Sequence, residues 1–206
     1  LFIPAGEARH KEVAYQTFPA DAYIYTLYPH AHYRGYHVEL KAVTPDGKET
    51  MLLSLPKYDF NWQRDYDPVK PILIKAGTKL VATWVYDNSV HNPSNPDPKR
   101  NVTWGEQTPD EMMYFRVNYR WADETVTHLR NDLQQKLYES MMMGALDDNL
   151  DGKIEPEELH GPMGTALKAR FAQLDKNGDG VLDAAEFAAA GGRRDMRRAA
   201  RETPDL

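Results

Sequence analysis

Two histidines one residue apart, a methionine eighty positions further on and two runs of alternating oxygen donors have the types and spacing to do chemistry. His30 and His32 stand in Tyr28-Pro29-His30-Ala31-His32-Tyr33-Arg34-Gly35. In a strand, residues two apart share a face, so this pair projects to one side and can grip one metal ion. The same pattern also describes two surface histidines. The stretch 112–121 alternates as well. Met113, Phe115, Val117, Tyr119 and Trp121 form an apolar face, while Met112, Tyr114, Arg116, Asn118 and Arg120 form the other. Met112 thus faces the polar side with no packing reason to be there. Two imidazoles and a soft thioether select copper, Cu(I) above all, over calcium, magnesium or zinc.

The oxygen donors recur twice over twelve residues. Asp147, Asn149, Asp151, Lys153, Glu155 and Glu158 occupy positions 1, 3, 5, 7, 9 and 12 of one loop. Asp175, Asn177, Asp179, Val181, Asp183 and Glu186 do so in the other. Calcium is a hard ion that takes six to eight oxygens. The side chains at 1, 3 and 5 converge on it, Lys153 and Val181 offer main-chain carbonyls, and Glu155 and Asp183 act through water. Glu158 and Glu186 close the sites with both oxygens. Gly152 and Gly180 stand where such a loop turns sharply, and Ile154 and Leu182 are placed to pair the loops. An acidic surface loop is the alternative for one match, but two complete matches flanked by helical patterns resemble an EF-hand pair. The loop starts lie 28 residues apart, with a short connector holding Gly161-Pro162. That spacing suits a structural pair more than a sensor.

The elements that must position these residues divide the chain near residue 122. Residues 1–121 hold eleven of the twelve tyrosines and all four tryptophans, with 14 acidic and 14 basic side chains. Short apolar runs separated by turn signals read as an antiparallel β-sandwich or barrel. Strands are expected at 12–18, 22–28, 31–43, 49–55, 71–75, 79–87 and 112–121, with a loop from Asn88 to Pro98. Residues 122–206 hold 17 acidic and 11 basic side chains and carry the whole net charge of -6. Val126, Leu129, Leu133, Leu137 and Met141 recur at helical steps, predicting a helix over 123–143. Shorter helices are expected at 155–160, 165–174, 184–190 and 193–201. The last carries Arg193, Arg194, Arg197, Arg198 and Arg201, read as a solvated basic face. Acid gathered in one segment suits cations and argues against nucleic-acid partners. No apolar run approaches the ~20 residues of a membrane span. With no cysteine there are no disulfides, thiolate nucleophiles or Cys-ligated metals. The start at Leu1, with no recognisable leader, reads as a processed chain or a fragment.

Residues 1–121 resemble the C-terminal domain of the copper type II, ascorbate-dependent monooxygenases, the family of peptidylglycine and dopamine monooxygenases. The likeness rests on Pro29–Gly35, on Gly105-Glu106-Gln107-Thr108-Pro109-Asp110-Glu111-Met112, and between them on Lys57–Gln63, Tyr86–Ser89 and Asn95–Pro98. The resemblance implies a jelly-roll β-sandwich in which His30, His32 and Met112 ligate the copper where dioxygen binds. It implies hydroxylation of a substrate C–H bond, an ascorbate-type reductant and an extracytoplasmic, periplasmic or secreted, location. It also implies a second, three-histidine copper on a preceding domain. The remaining histidines, His10, His37, His91, His128 and His160, are scattered, so that domain lies outside this chain. His91, in the Asn/Pro-rich loop, is a candidate further ligand. The positions that grip a peptide carboxylate in the peptide-hydroxylating enzyme are here Tyr28, Tyr114 and Arg116, which argues against a C-terminal glycine substrate. Arg34 and Arg116 are candidate anion binders or solvated surface arginines. The alternatives are a non-catalytic copper-binding, redox or partner-docking module stabilised by calcium, and a calcium-dependent scaffold.

Overall fold

The computed structural model describes residues 1–189, which form an antiparallel β-sandwich followed by short helices. The expected helix at 193–201 lies outside the described residues. Strands are β1 (Phe2–Ile3), β2 (His10–Thr17), β3 (Ala22–His30), β4 (Gly35–Val43), β5 (Glu49–Leu55), β6 (Ile72–Ile74), β7 (Lys79–Tyr86), β8 (Val102–Thr103) and β9 (Tyr114–Trp121). One sheet runs β2-β7-β4-β5, the other β6-β3-β9, and β1 pairs with β8. The period-two pattern explains the layers. Val38, Leu40 and Ala42 of β4 turn inward, while His37, Glu39 and Lys41 turn outward. Ala22, Ile24, Leu27, Ile74 and Trp121 of one sheet share a core with Leu40, Ala42, Leu80 and Ala82 of the other.

Helix α1 (Asn131–Gly144) closes one open side of this sandwich. An edge strand leaves amide groups unpaired, and a helix laid along it removes that liability. Ser140 Oγ accepts from the Thr17 amide of edge strand β2 at 2.8 Å, and Gln16 Nε2 donates to the Leu137 carbonyl at 3.2 Å. Gln134 Nε2 donates to the Tyr119 hydroxyl of β9, the edge of the facing sheet, at 3.1 Å. Leu133 and Leu137 enter the sandwich core, whereas Met143 enters a second core with Leu146, Ile154, Leu159, Leu167, Leu174, Leu182 and Phe187. One helix therefore serves both cores.

The helix begins at Asn131, later than its spacing predicts. Val126 and Leu129 fit a helical stripe but stand 95% and 60% exposed. Residues 122–130 form turns, pinned by mutual Thr125–His128 amide bonds and by Arg130 bridging Asp123 and Asp132. The helix expected over 165–174 is broken into α2 (Gly161–Lys168) and α3 (Phe171–Leu174), and α4 spans Ala184–Ala189. No helix among the described residues is long and apolar enough to cross a membrane.

Candidate metal centres

The strand expected over 31–43 starts only at Gly35, so the two histidines do not alternate along one strand. His30 is the last residue of β3, and the chain turns through 31–34, closed by the Gly35 amide on the His32 carbonyl at 3.3 Å. Glycine is required at 35, because a Cβ there would lie 2.8 Å from the Tyr58 ring and 2.9 Å from Ala31 Cβ. The imidazoles still meet, with ring centroids 5.2 Å apart and planes at 87°. That separation suits two rings meeting one ion through bonds of about 2.0–2.1 Å.

Each ring is held by its Nδ1. His30 Nδ1 bonds Gln63 Oε1, and Gln63 is itself fixed by donating to the Phe60 carbonyl at 2.7 Å. Phe60–Trp62 is a short 3₁₀ turn capped by Asp59, which accepts from the Asn61 amide at 2.8 Å. His32 Nδ1 faces the Asp110 carbonyl at 3.3 Å. With both Nδ1 atoms engaged as donors, Nε2 of each ring keeps the lone pair a metal needs. Burial lowers the His32 pKa, which keeps that ring neutral and competent as a ligand. Tyr28 stacks on His30 at 6.4 Å, Tyr114 meets it edge-on at 6.2 Å, and Phe60 meets His32 at 6.3 Å.

Strand pairing brings Met112 to the same corner. His30 pairs with Tyr114 and Tyr28 with Arg116. The ladder ends there, with Met112 two residues before β9 and His32 in the turn two residues after β3. Glu111 fastens the two. Its wholly buried carboxylate accepts from the His32 amide at 2.5 Å, the Arg34 amide at 2.7 Å and the Met112 amide at 3.0 Å. Burial pushes its pKa up to about 7, against the pull of those three amides and of Arg34. Tyr86 completes the clamp by donating to the Met112 carbonyl at 2.9 Å.

Arg34 is no surface arginine. It is fully buried, donating through Nε to Asn88 Oδ1 at 2.7 Å and through Nη1 to the Pro109 carbonyl at 2.8 Å. Asn88 in turn donates to the Pro4 and Arg100 carbonyls, so the Asn/Pro-rich loop is an ordered brace behind the histidine corner. Arg116 pairs with Asp65 at 2.5 Å and lies 4.8 Å above the Tyr28 ring. His91 is exposed in that loop. Glu111 and Gln63 lay within the quoted motifs, but alternation and spacing assign them no role. Their work shows only once the turn after His30 is folded.

The acidic loops are wound for a cation. In the first, Asp147 accepts from the amides of Asp151 at 3.1 Å and Gly152 at 2.8 Å, while Asn149 and Asp151 cap amides two residues on. Gly152 takes φ 90°, a left-handed conformation that side chains disfavour. Glu158 reaches back to the Asn149 and Glu155 amides. In the second, Asp175, Asp179 and Glu186 bring ligand oxygens within 4.8 Å of one another. The loops are joined by mutual Ile154–Leu182 amide bonds of 3.0 and 2.9 Å.

The Glu158 carboxyl bonded to Glu155, with some burial, raises the Glu155 pKa to about 7. Without calcium this pair keeps a proton near neutrality, and calcium needs it as carboxylate. Calcium affinity at the first loop therefore rises as pH increases towards about 7 and levels off above it. Calorimetry in buffers of different ionisation enthalpy reads the released proton. An affinity flat from about pH 6 to about 8 contradicts the assignment.

A family model described as EF hand matches residues 142–161 and 167–189. No curated protein matches the chain. The helical part is thus an EF-hand, calcium-binding module, carried behind an antiparallel β-sandwich.

Proposed function

We propose that His30, His32 and Met112 hold one copper ion, and that the chain is the oxygen-binding half of a copper-dependent monooxygenase with a calcium-loaded EF-hand pair. The observation that carries this reading is the buried Glu111 carboxylate, which ties the backbones of His32 and Met112 together beside two imidazoles that each bond an oxygen through Nδ1. Copper held there supplies the one-electron and oxygen chemistry by which such enzymes hydroxylate a C–H bond, with an ascorbate-type reductant. The protein's own part is positional. Gln63 and the Asp110 carbonyl orient the rings, Glu111 and Tyr86 place the methionine backbone, and Tyr28, Tyr114 and Phe60 wall the rings with apolar surface. A second copper domain, outside this chain, is the proposed partner.

The thioether gives a direct test. Met112→Ala weakens Cu(I) binding more than Cu(II) binding, because sulfur is the soft ligand of the set. Competition titrations with chelators of each oxidation state measure both. Equal losses remove the thioether from the site. Copper binding without ascorbate-dependent oxygen consumption, in the presence of the partner domain, selects the non-catalytic copper module instead.

A further inference from the structure

The two calcium loops are not equivalent, because one is joined to the sandwich by side chains from its sheets. Tyr15, from the middle of β2, donates its hydroxyl to Asp147 Oδ2 at 2.7 Å. Asp147 is the first ligand of loop 1 and is wholly buried. Lys79, at the start of β7, donates Nζ to the Leu150 carbonyl of the same loop at 2.7 Å and lies 4.4 Å from the Tyr15 ring centroid. Leu150 takes φ 66°, the only non-glycine residue in the left-handed region among the described residues, so Lys79 holds the loop at its most constrained point. Strand pairing sets Thr17 across from Lys79 and Tyr15 across from Val81, which puts both donors on one patch of sheet. Loop 2 is built otherwise. Among the described residues, its hydrogen bonds run within the loop and its closing glutamate, to Phe171 and Phe187 of the helices on either side, or to loop 1 through Ile154 and Leu182, and none of these goes to a sheet.

We propose that calcium site 1 is built jointly by the EF-hand pair and the β-sandwich, with Tyr15 and Lys79 as positioning residues, so that calcium in loop 1, and not in loop 2, stabilises the sheets. This rests on calcium binding by the loops and is independent of the copper reading. A hydrogen bond from outside the first shell fixes the direction of a ligating carboxylate, and its loss typically costs metal affinity about 10–100-fold. The phenol does this for Asp147. Calcium that binds only the assembled junction stabilises everything the junction requires. What it requires includes β2 and β7.

The test uses the full chain and calcium alone. All four tryptophans precede the helical part, and Trp84 of β7 and Trp121 of β9 are buried in the sandwich, so tryptophan emission during thermal unfolding reports the sheets. Calorimetric titration reports the two sites. Tyr15→Phe lowers affinity at one site about tenfold, leaves the other unchanged, and shrinks the calcium-induced rise in Tm. Asp175→Asn removes the other calcium and keeps that rise. Lys79→Gln, which leaves the phenol in place, shifts the same site as Tyr15→Phe and keeps the proposal testable if the phenylalanine variant folds poorly. Two parent-like affinities in both the Tyr15 and Lys79 variants overturn the proposal, as does loss of the Tm rise in Asp175→Asn alone. A parent chain that binds no calcium overturns the EF-hand reading itself, a result distinct from either.

Discussion

Gly144→Ala destabilises the chain by about 3 kcal/mol, near the upper end of overpacking costs. A Cβ at this last residue of α1 would lie 2.1 Å from the Tyr15 carbonyl oxygen and 2.8 Å from its carbon. The obstacle is backbone in a paired strand, so no rotamer change relieves it. The helix propensity gained on replacing glycine, about 1 kcal/mol, is too small to compensate. To accommodate the methyl group, α1 must lift from β2, and it then withdraws Leu133 and Leu137 from the sandwich core. Denaturant unfolding followed by tryptophan emission measures the loss. A change below about 0.5 kcal/mol, the range of neutral surface substitutions, contradicts the close contact of helix and strand.

Glu111→Ala has the second large effect, on two readouts at once. It leaves three amides, of His32, Arg34 and Met112, without their acceptor in a buried site. Each buried donor left unmade costs about 1–3 kcal/mol, and relief from burying a carboxyl returns part of this. The net expectation is a loss of about 3 kcal/mol. In the proposed copper site the same change frees His32 from Met112 and lowers copper affinity about 10–100-fold. Glu111→Gln keeps one acceptor oxygen and falls between the parent and Glu111→Ala on both scales. A Glu111→Ala chain as stable as its parent, with unchanged copper affinity, removes Glu111 as the strut of the corner.

The legible parts of this molecule were those written in local spacing. Alternation located β2, β3, β5 and β7 closely, and the twelve-residue loops stood out because calcium fixes ligand positions along the chain. Less legible was anything decided between distant segments. Val126 and Leu129 sit at helical intervals, yet the turn around Arg130 keeps them out of a helix, because side-chain pairs with Asp123 and Asp132 compete with the helical pattern. The destination of α1 could not be read either, since Leu133 and Leu137 look the same whether they meet an EF-hand core or a β-sandwich. Strand alternation singles out His30 and His32. They approach each other by a different route, a turn that Gly35 and Glu111 make possible. Tyr15 carried no signal beyond strand propensity, because its partner Asp147 is 132 residues away.

The most direct test of the central claim is the metal content of the purified chain after mild chelation and reloading with copper and calcium. The account predicts one copper and two calcium ions per chain, with copper alone lost in His30→Ala and in His32→Ala. Two calcium ions with no copper, even after reloading, contradict the monooxygenase reading and leave a calcium-bound EF-hand pair on a β-sandwich.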